Sequence, residues 1–215
     1  LAANESGDAV VCTLRSPHGE QGFPGTVDVA VTYRIEGPRS LAIDFYAETD
    51  RETILSLANH AYFNLGDEDT IDDHTLLLHA DEYTPADASL IPTGAIDPVD
   101  GTAFDLREPT SLGGASPRVF DTNFVVRGGA GLLREAAVLA ATSSGLAMRI
   151  ETTEPGLQLY TGDYLNEPFH PRQGVCLEAQ NFPDAPNQPG FPSARLLPGA
   201  PYRSTTVLTF DSKTR

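Results

Sequence analysis

Apolar residues return at every second position along much of this chain, the period of a strand with one face against a core. Residues 26–35 set Val27, Val29, Val31, Tyr33 and Ile35 against Asp28, Ala30, Thr32 and Arg34. Residues 41–48 repeat the pattern with Leu41, Ile43 and Phe45 inward, and Gly37-Pro38 between the two runs predicts a hairpin turn. Further strands are predicted over residues 10–15, 53–58, 75–80, 134–142, 146–152, 156–161, 174–180 and 202–210, with Ser143-Ser144-Gly145 as a second hairpin turn. A turn or so of helix is predicted around residues 105–112, interrupted by Pro109. Many short strands separated by Gly, Pro, Asn and Asp turns imply an all-β chain folded as an antiparallel sandwich. No repeat, low-complexity tract or linker divides residues 1–215, so one domain is expected. Residues 183–201 read as a long, proline-rich, ordered loop near a functional site, since loops of that length in compact domains are usually functional or disordered.

Two of these runs place polar chemistry on the face opposite the apolar one. In residues 174–180, Val175, Leu177 and Ala179 share one side while Cys176, Glu178 and Gln180 share the other, and Pro183 and Pro186 then stop the ladder. A solvated Glu at a strand end is the bland alternative for Glu178. In residues 57–65, His60, Tyr62 and Asn64 share one side and Ala61, Phe63 and Leu65 the other. Three polar side chains in register need partners or water, so a core would not readily take that face, although a lone His beside aromatics is often structural. Imidazole titrates near neutrality, and a His facing a Glu across a cleft makes an acid and base pair.

Composition narrows the partners. A net charge of −16, with Lys213 the single lysine against thirteen arginines, argues against nucleic acid and anionic membranes and leaves neutral ligands compatible. No window reaches the apolar length of a spanning helix, and residues 1–11 lack the regions of a signal peptide. Cys12 and Cys176 are too few for a disulfide framework and show no metal-ligand spacing, so a reducing cytoplasm is the expected compartment. Asp72-Asp73-His74 with His79 lacks tight ligand spacing and reads as a solvated turn plus strand. Gly128-Gly129-Ala130-Gly131 has no βαβ context for a dinucleotide, and Asp67-Glu68-Asp69 lacks a calcium-loop spacing. No nucleophile elbow is present.

Seven stretches in order give the chain a resemblance to a known family. They are residues 16–25 (SPHGEQGFPG), 59–65 (NHAYFNL), 90–94 (LIPTG), 101–105 (GTAFD), 120–124 (FDTNF), 153–162 (TEPGLQLYTG) and the Glu178 segment LEAQNFPDAPN. Together they resemble the aldose 1-epimerases, or galactose mutarotases, over almost the whole chain. The resemblance implies a large twisted β-sandwich with a sugar in a cleft on one sheet face. It implies His60 as proton donor, Glu178 as proton acceptor, and Tyr62, Asp121 and Gln158 as substrate contacts. Thr122 stands where many members have His, a departure expected to affect the rim.

The implied reaction opens a hemiacetal. A base removes the C1 hydroxyl proton while an acid protonates the ring oxygen, the carbonyl end rotates, and the ring closes on its other face; neither cofactor nor metal is required. A carboxylate and an imidazolium suit the two tasks, with a neighbouring carboxylate favouring the charged imidazole. The family pattern begins upstream of Leu1 with an Arg that binds substrate and a second His, and His18, His74, His79 and His170 do not stand in those contexts. The chain is therefore expected to be a fragment, a processed form or an incomplete product, with exposed sheet edges that favour self-association. Two other functions fit the same fold: a carbohydrate-binding module that does not convert its sugar, and a sugar-phosphate epimerase. The second would call for clustered Arg or Lys around the cleft, which the motifs lack.

Overall fold

The alternating runs become strands that pair with their neighbours and bury one face between two sheets. The computed structural model describes residues 2–3, 7–115 and 117–212. In chain order the strands are β1 (Ala2–Ala3), β2 (Ala9–Ser16), β3 (Val27–Ile35), β4 (Ser40–Thr49), β5 (Thr53–Ile54), β6 (Tyr62–Phe63), β7 (His74–Leu78), β8 (Ala80–Thr84) and β9 (Asp97–Pro98). They continue as β10 (Thr110–Ser111), β11 (Asp121–Val126), β12 (Arg134–Ala141), β13 (Leu146–Thr152), β14 (Gly156–Tyr160), β15 (Val175–Gln180), β16 (Arg195–Leu196) and β17 (Tyr202–Ser212). A nine-stranded sheet runs β1-β2-β3-β4-β17-β13-β12-β7-β10, and a six-stranded sheet runs β6-β15-β14-β11-β8-β9. A small third ladder joins β16 to β5. Among the described residues no helix is long and apolar enough to cross a membrane.

The core fills the space between the two large sheets. Ile43, Leu76, Leu139, Met148, Ile150 and Leu208 approach from one side, and Phe124, Leu157, Leu159, Val175 and Leu177 from the other. Fully burying a side chain of this kind contributes about 1.5–3 kcal/mol, so the alternation read from residues 41–48 and 174–180 is what the fold uses. The predicted hairpins are present, with Gly37 at φ 76° between β3 and β4 and Gly145 at φ 71° between β12 and β13.

Four expectations about elements need correction. Residues 105–112 are not helical: the Arg107 guanidinium bonds Asp100 and Asp105, Pro109 has no N–H to donate, and Thr110–Ser111 pairs with β7 as the edge strand of the nine-stranded sheet. Of residues 53–58, Thr53 and Ile54 alone join a ladder, because their partner β16 is two residues long. The run over residues 75–80 is split. β7 ends at Leu78, the His79 N–H donates to the Ala136 carbonyl, and the chain crosses to the other sheet as β8. Finally β11 was not anticipated, although it lies at the centre of the six-stranded sheet.

Residues 183–201 are ordered by a short 3₁₀ turn at Ala185–Asn187, by β16 and by a small cluster of Phe182, Ala185, Phe191 and Ala194. Buried Arg172 fastens a second set of loops. Its guanidinium donates to Asp72 at 2.9 Å and to the Leu112 carbonyl at 2.7 Å, joining segments far apart along the chain.

Candidate active site

The outer face of the six-stranded sheet gathers polar side chains into two rows because its register aligns them. Directly opposed residues share a face. One row is Thr84, Asn123, Gln158 and Glu178 across β8, β11, β14 and β15; the next is Asp121, Tyr160, Cys176 and Tyr62 across β11, β14, β15 and β6. The intervening positions, such as Phe124, Leu157, Leu159 and Leu177, turn into the core. Gly156 at the start of β14 keeps the first row close, since a Cβ there would stand 2.4 Å from Asn123 Oδ1.

Glu178 is not the solvated strand-end residue of the bland alternative: it is 7% exposed. Burial pushes its carboxyl above the usual carboxylate range, the neighbouring His60 pulls it back, and the charge of Asp121 pushes it up further. His60 rides on the segment just before β6 with its side chain 56% exposed, and its Nε2 lies 3.5 Å from Glu178 Oε1. Its Nδ1 lies 3.4 Å from Cys176 Sγ, and its ring stacks on Tyr62 at 5.2 Å between centroids. Residues 60, 62 and 64 are exposed while Leu65 is buried, as the alternation implied.

Gln158 Nε2 donates to Asp121 Oδ1 at 2.7 Å, so the amide and the carboxylate are held as a unit. The amide oxygens Gln158 Oε1 and Asn123 Oδ1 are buried without a hydrogen-bond partner among the described residues. Asp121, Asn123, Gln158, Tyr164, Phe104 and Pro183 line a cavity of about 490 Å³, with Thr122 in its wall. That volume lies within the range of small-molecule sites. Neither Glu178 nor His60 lines this cavity; Glu178 lies on the next strand, directly opposite Gln158, and His60 lies against Glu178. The structure thus brings together His60, Glu178, Tyr62, Asp121 and Gln158.

It also places on this face residues that the sequence reading did not single out. Asn123 and Tyr160 belong to the two rows, and Tyr160 packs edge-on against Tyr62 at 6.2 Å and accepts from the Tyr164 N–H at 2.9 Å. Cys176 forms the floor beneath His60. Burial, reinforced by Glu178, pushes its thiol up to about 12, and loss of solvent around the Tyr62 hydroxyl pushes that group up to about 12 as well. The polar alternation Asp121, Asn123 was the available signal for β11. A larger cavity of about 700 Å³ lies elsewhere, under the loop of Pro186, Gln188 and Phe191; its Glu52 and Arg195 bond each other at 2.6 Å and leave no acid and base pair free.

The comparisons agree with the geometry. A family model described as Aldose 1-epimerase matches residues 2–209. The chain belongs to the aldose 1-epimerase family. It is 43% identical to human galactose mutarotase over 210 residues, covering 91% of this chain and 61% of that protein. It is 32% identical to aldose 1-epimerase of Escherichia coli K12, covering 96% of this chain and 65% of that one. Among solved structures, a GalM/aldose epimerase homologue from C. elegans superposes with a TM-score of 0.91 at 29% identity, over 99% of this chain and 68% of that chain. The chain therefore spans about three-fifths of the length of the mammalian relatives it matches.

In this aldose 1-epimerase family chain three of the other histidines, His18, His74 and His79, serve elsewhere. His18 Nδ1 accepts from the Gly25 N–H at 2.9 Å, and His79 pairs with Glu135 at 2.7 Å. His74 is fully buried and fixes the end of the His60 segment: its Nε2 accepts from the Leu65 N–H at 2.8 Å, and its Nδ1 faces Asp73 Oδ1 at 2.7 Å without a well-aligned hydrogen bond. Burial lowers the His74 pKa and outweighs the opposing pull of Asp73. Burial also opposes ionisation of Asp73, but two hydrogen bonds from Ser143 and the contact with His74 overcome it and hold that carboxyl low.

The sign follows for stability. The native state keeps His74 neutral, so the unfolded chain binds a proton first as pH falls below about 6.5. Stability then declines, by at most about 1.4 kcal/mol per pH unit from this residue, until the lowered native pKa is reached. Urea unfolding at pH 7 and pH 5 should show that decline, and His74→Gln, whose amide oxygen can still accept from Leu65, should flatten it. Equal slopes for the two proteins would remove His74 from the account.

Proposed function

We propose that the chain interconverts the α and β anomers of hexoses such as galactose and glucose, with Glu178 as the base and His60 as the acid. The observation that carries this reading is the 3.5 Å approach of His60 Nε2 to Glu178 Oε1, one strand over from the cavity-lining Gln158. The C1 hydroxyl and the ring oxygen sit on one carbon, so the groups that exchange protons with them must converge on neighbouring atoms. The Glu178 carboxylate takes the C1 hydroxyl proton while the protonated His60 gives one to the ring oxygen. The C1–O5 bond breaks, an aldehyde forms, and rotation about C1–C2 before reclosure yields the other anomer. Asp121, Gln158 and Tyr62 hold the remaining hydroxyls, with the Asp121 carboxylate oriented by the Gln158 amide. A sugar is then bound by hydrogen bonds on one side and by Tyr164 and Phe104 on others. The 215 residues act in this reading as one unit, in a reducing compartment such as the cytoplasm. Two free thiols support that compartment, and cell fractionation would check it.

The test is polarimetry of freshly dissolved α-galactose and α-glucose alongside a binding titration. Exchange above the spontaneous rate is expected for both sugars. Binding without exchange would favour the non-converting module instead. The pH profile gives a second readout. Glu178 must be ionised and its pKa is raised, so kcat/KM should fall on the acid side at a pH above the ordinary Glu value of about 4.3. Asp121→Asn removes a charge that raises it, and should move that limb to lower pH whatever it does to the amplitude. An acid limb at the ordinary position, unmoved by Asp121→Asn, would contradict Glu178 as the base.

A further inference from the structure

Cys176 has no part in the proton transfers, yet it stands against both groups that perform them. It precedes Glu178 by two residues on β15, so both side chains leave the same face of the strand. Tyr62 is the cross-strand partner of Cys176, and the chain just before it lays the His60 ring over the pair. One ligand atom from each of His60, Cys176 and Glu178 lies within 4.8 Å of the other two. The two closest approaches, 3.4 Å from Sγ to Nδ1 and 3.5 Å from Nε2 to Oε1, use opposite nitrogens of the ring, so a single cation takes one of them and the ring must turn to bring it toward the third donor.

We propose that His60, Cys176 and Glu178 form a binding site for a thiophilic divalent cation of the zinc class, and that filling it switches off anomeric exchange. A tetrahedral zinc with bonds of about 2.0–2.3 Å spaces its ligand atoms about 3.3–3.8 Å apart. The three donors need to close by about 1 Å at their widest to meet that spacing. His60 supplies the movement, because its side chain is half exposed and follows no long strand. Three protein ligands of mixed S, N and O type, with the fourth position open to water on the exposed side of the imidazole, are the pattern of an open zinc site. The thiolate makes the site selective. Mg²⁺ and Ca²⁺ prefer oxygen ligands and would collect on the many exposed carboxylates instead.

On coordination the Cys176 thiol releases its proton to solvent and the sulfur lone pair forms the metal bond. His60, if protonated, likewise releases a proton and binds through a ring nitrogen, and Glu178 binds through an oxygen lone pair. The inhibition rests on the proposed roles of His60 and Glu178: the donor has lost its proton and the acceptor has lost its lone pair to the metal. Nothing in this chemistry requires the cation for turnover.

The test uses Co²⁺ and Zn²⁺ with the purified protein. One equivalent of Co²⁺ is expected to give a thiolate charge-transfer band in the near ultraviolet together with intense tetrahedral visible bands, both displaced by Zn²⁺. Cys176→Ser should abolish the charge-transfer band and weaken Zn²⁺ binding at least about tenfold, while Cys12→Ser should leave both unchanged. Circular dichroism of each variant establishes that it is folded. Zn²⁺ at one equivalent should stop exchange, a chelator should restore it, and Mg²⁺ should have no effect. A missing band in the natural sequence, or a band that persists in Cys176→Ser, overturns the site. Stoichiometric zinc binding with unchanged exchange overturns the inhibition. A chain that shows no exchange before metal is added overturns the mutarotase reading instead, and the cobalt spectrum still decides the site.

Discussion

Glu178→Gln is expected to slow anomeric exchange of galactose by about 10²–10⁴-fold, the usual contribution of one positioned proton transfer. The substitution keeps the shape of the side chain and removes its basicity. Because Glu178 is buried between Gln158 of β14 and His60, an isosteric amide should leave the strand in place and sugar binding largely intact. His60→Gln should cost a similar factor, since the ring oxygen then lacks its proton donor. The double variant should lose much less than the product of the two, because in the proposed mechanism acid and base serve one concerted opening and neither is of much use alone. Polarimetry gives the rates, and a sugar titration of each variant separates turnover from affinity. Near-normal exchange in either single variant would remove that residue from the mechanism. A full multiplicative loss in the double variant would show that the two act in separate steps.

Phe124→Ala is expected to destabilise the fold by about 3–5 kcal/mol. Against a total stability of roughly 5–15 kcal/mol for a domain, that is enough to change how much of the protein is folded in cells. Phe124 is 1% exposed on the core face of β11. It packs against Phe104 and Phe120 with centroids 6.4 Å apart in each case, and aromatic pairs of this kind add about 0.5–1.5 kcal/mol beyond area alone. Its sequence neighbour Asn123 faces the cleft, so the variant probes the scaffold directly behind the site. Urea unfolding should show the loss. Leu146→Ala, at a position 40% exposed, should change stability by less than about 0.5 kcal/mol. A loss below 1 kcal/mol for Phe124→Ala would mean that the space between the sheets closes over the missing ring.

Where one face of a strand is apolar and the other polar, the strand could be read from the chain itself. β3 and β4 are of that kind, as is the segment ending in β6, whose exposed His60, Tyr62 and Asn64 alternate with better-shielded Ala61, Phe63 and Leu65. β11 was harder. Its alternate residues Asp121, Asn123 and Val125 mix polar with apolar, and Thr122 breaks the opposite set, so periodicity gives a weak signal although the strand is central. β7 and β8 form a continuous run in the sequence, and the crossing at His79 exists because Ala136 and Arg127 take up its backbone groups. The helix anticipated near Pro109 failed because ion pairs around Arg107 and the free edge of β7 offered that segment better partners.

By itself the chain determined the strand period, the turn positions, the all-β class and which side chains could exchange protons, because each of these depends on a residue and its near neighbours. The tertiary structure alone decided which of those side chains meet and how they titrate. Glu178 looked like a solvated carboxylate until packing of the sheet removed its water and raised its pKa. Cys176 showed no ligand spacing because its partner His60 lies 116 residues away and arrives only through the pairing of β6 with β15. Desolvation and convergence are properties of packed surfaces, and they come into being when distant strands are brought into register.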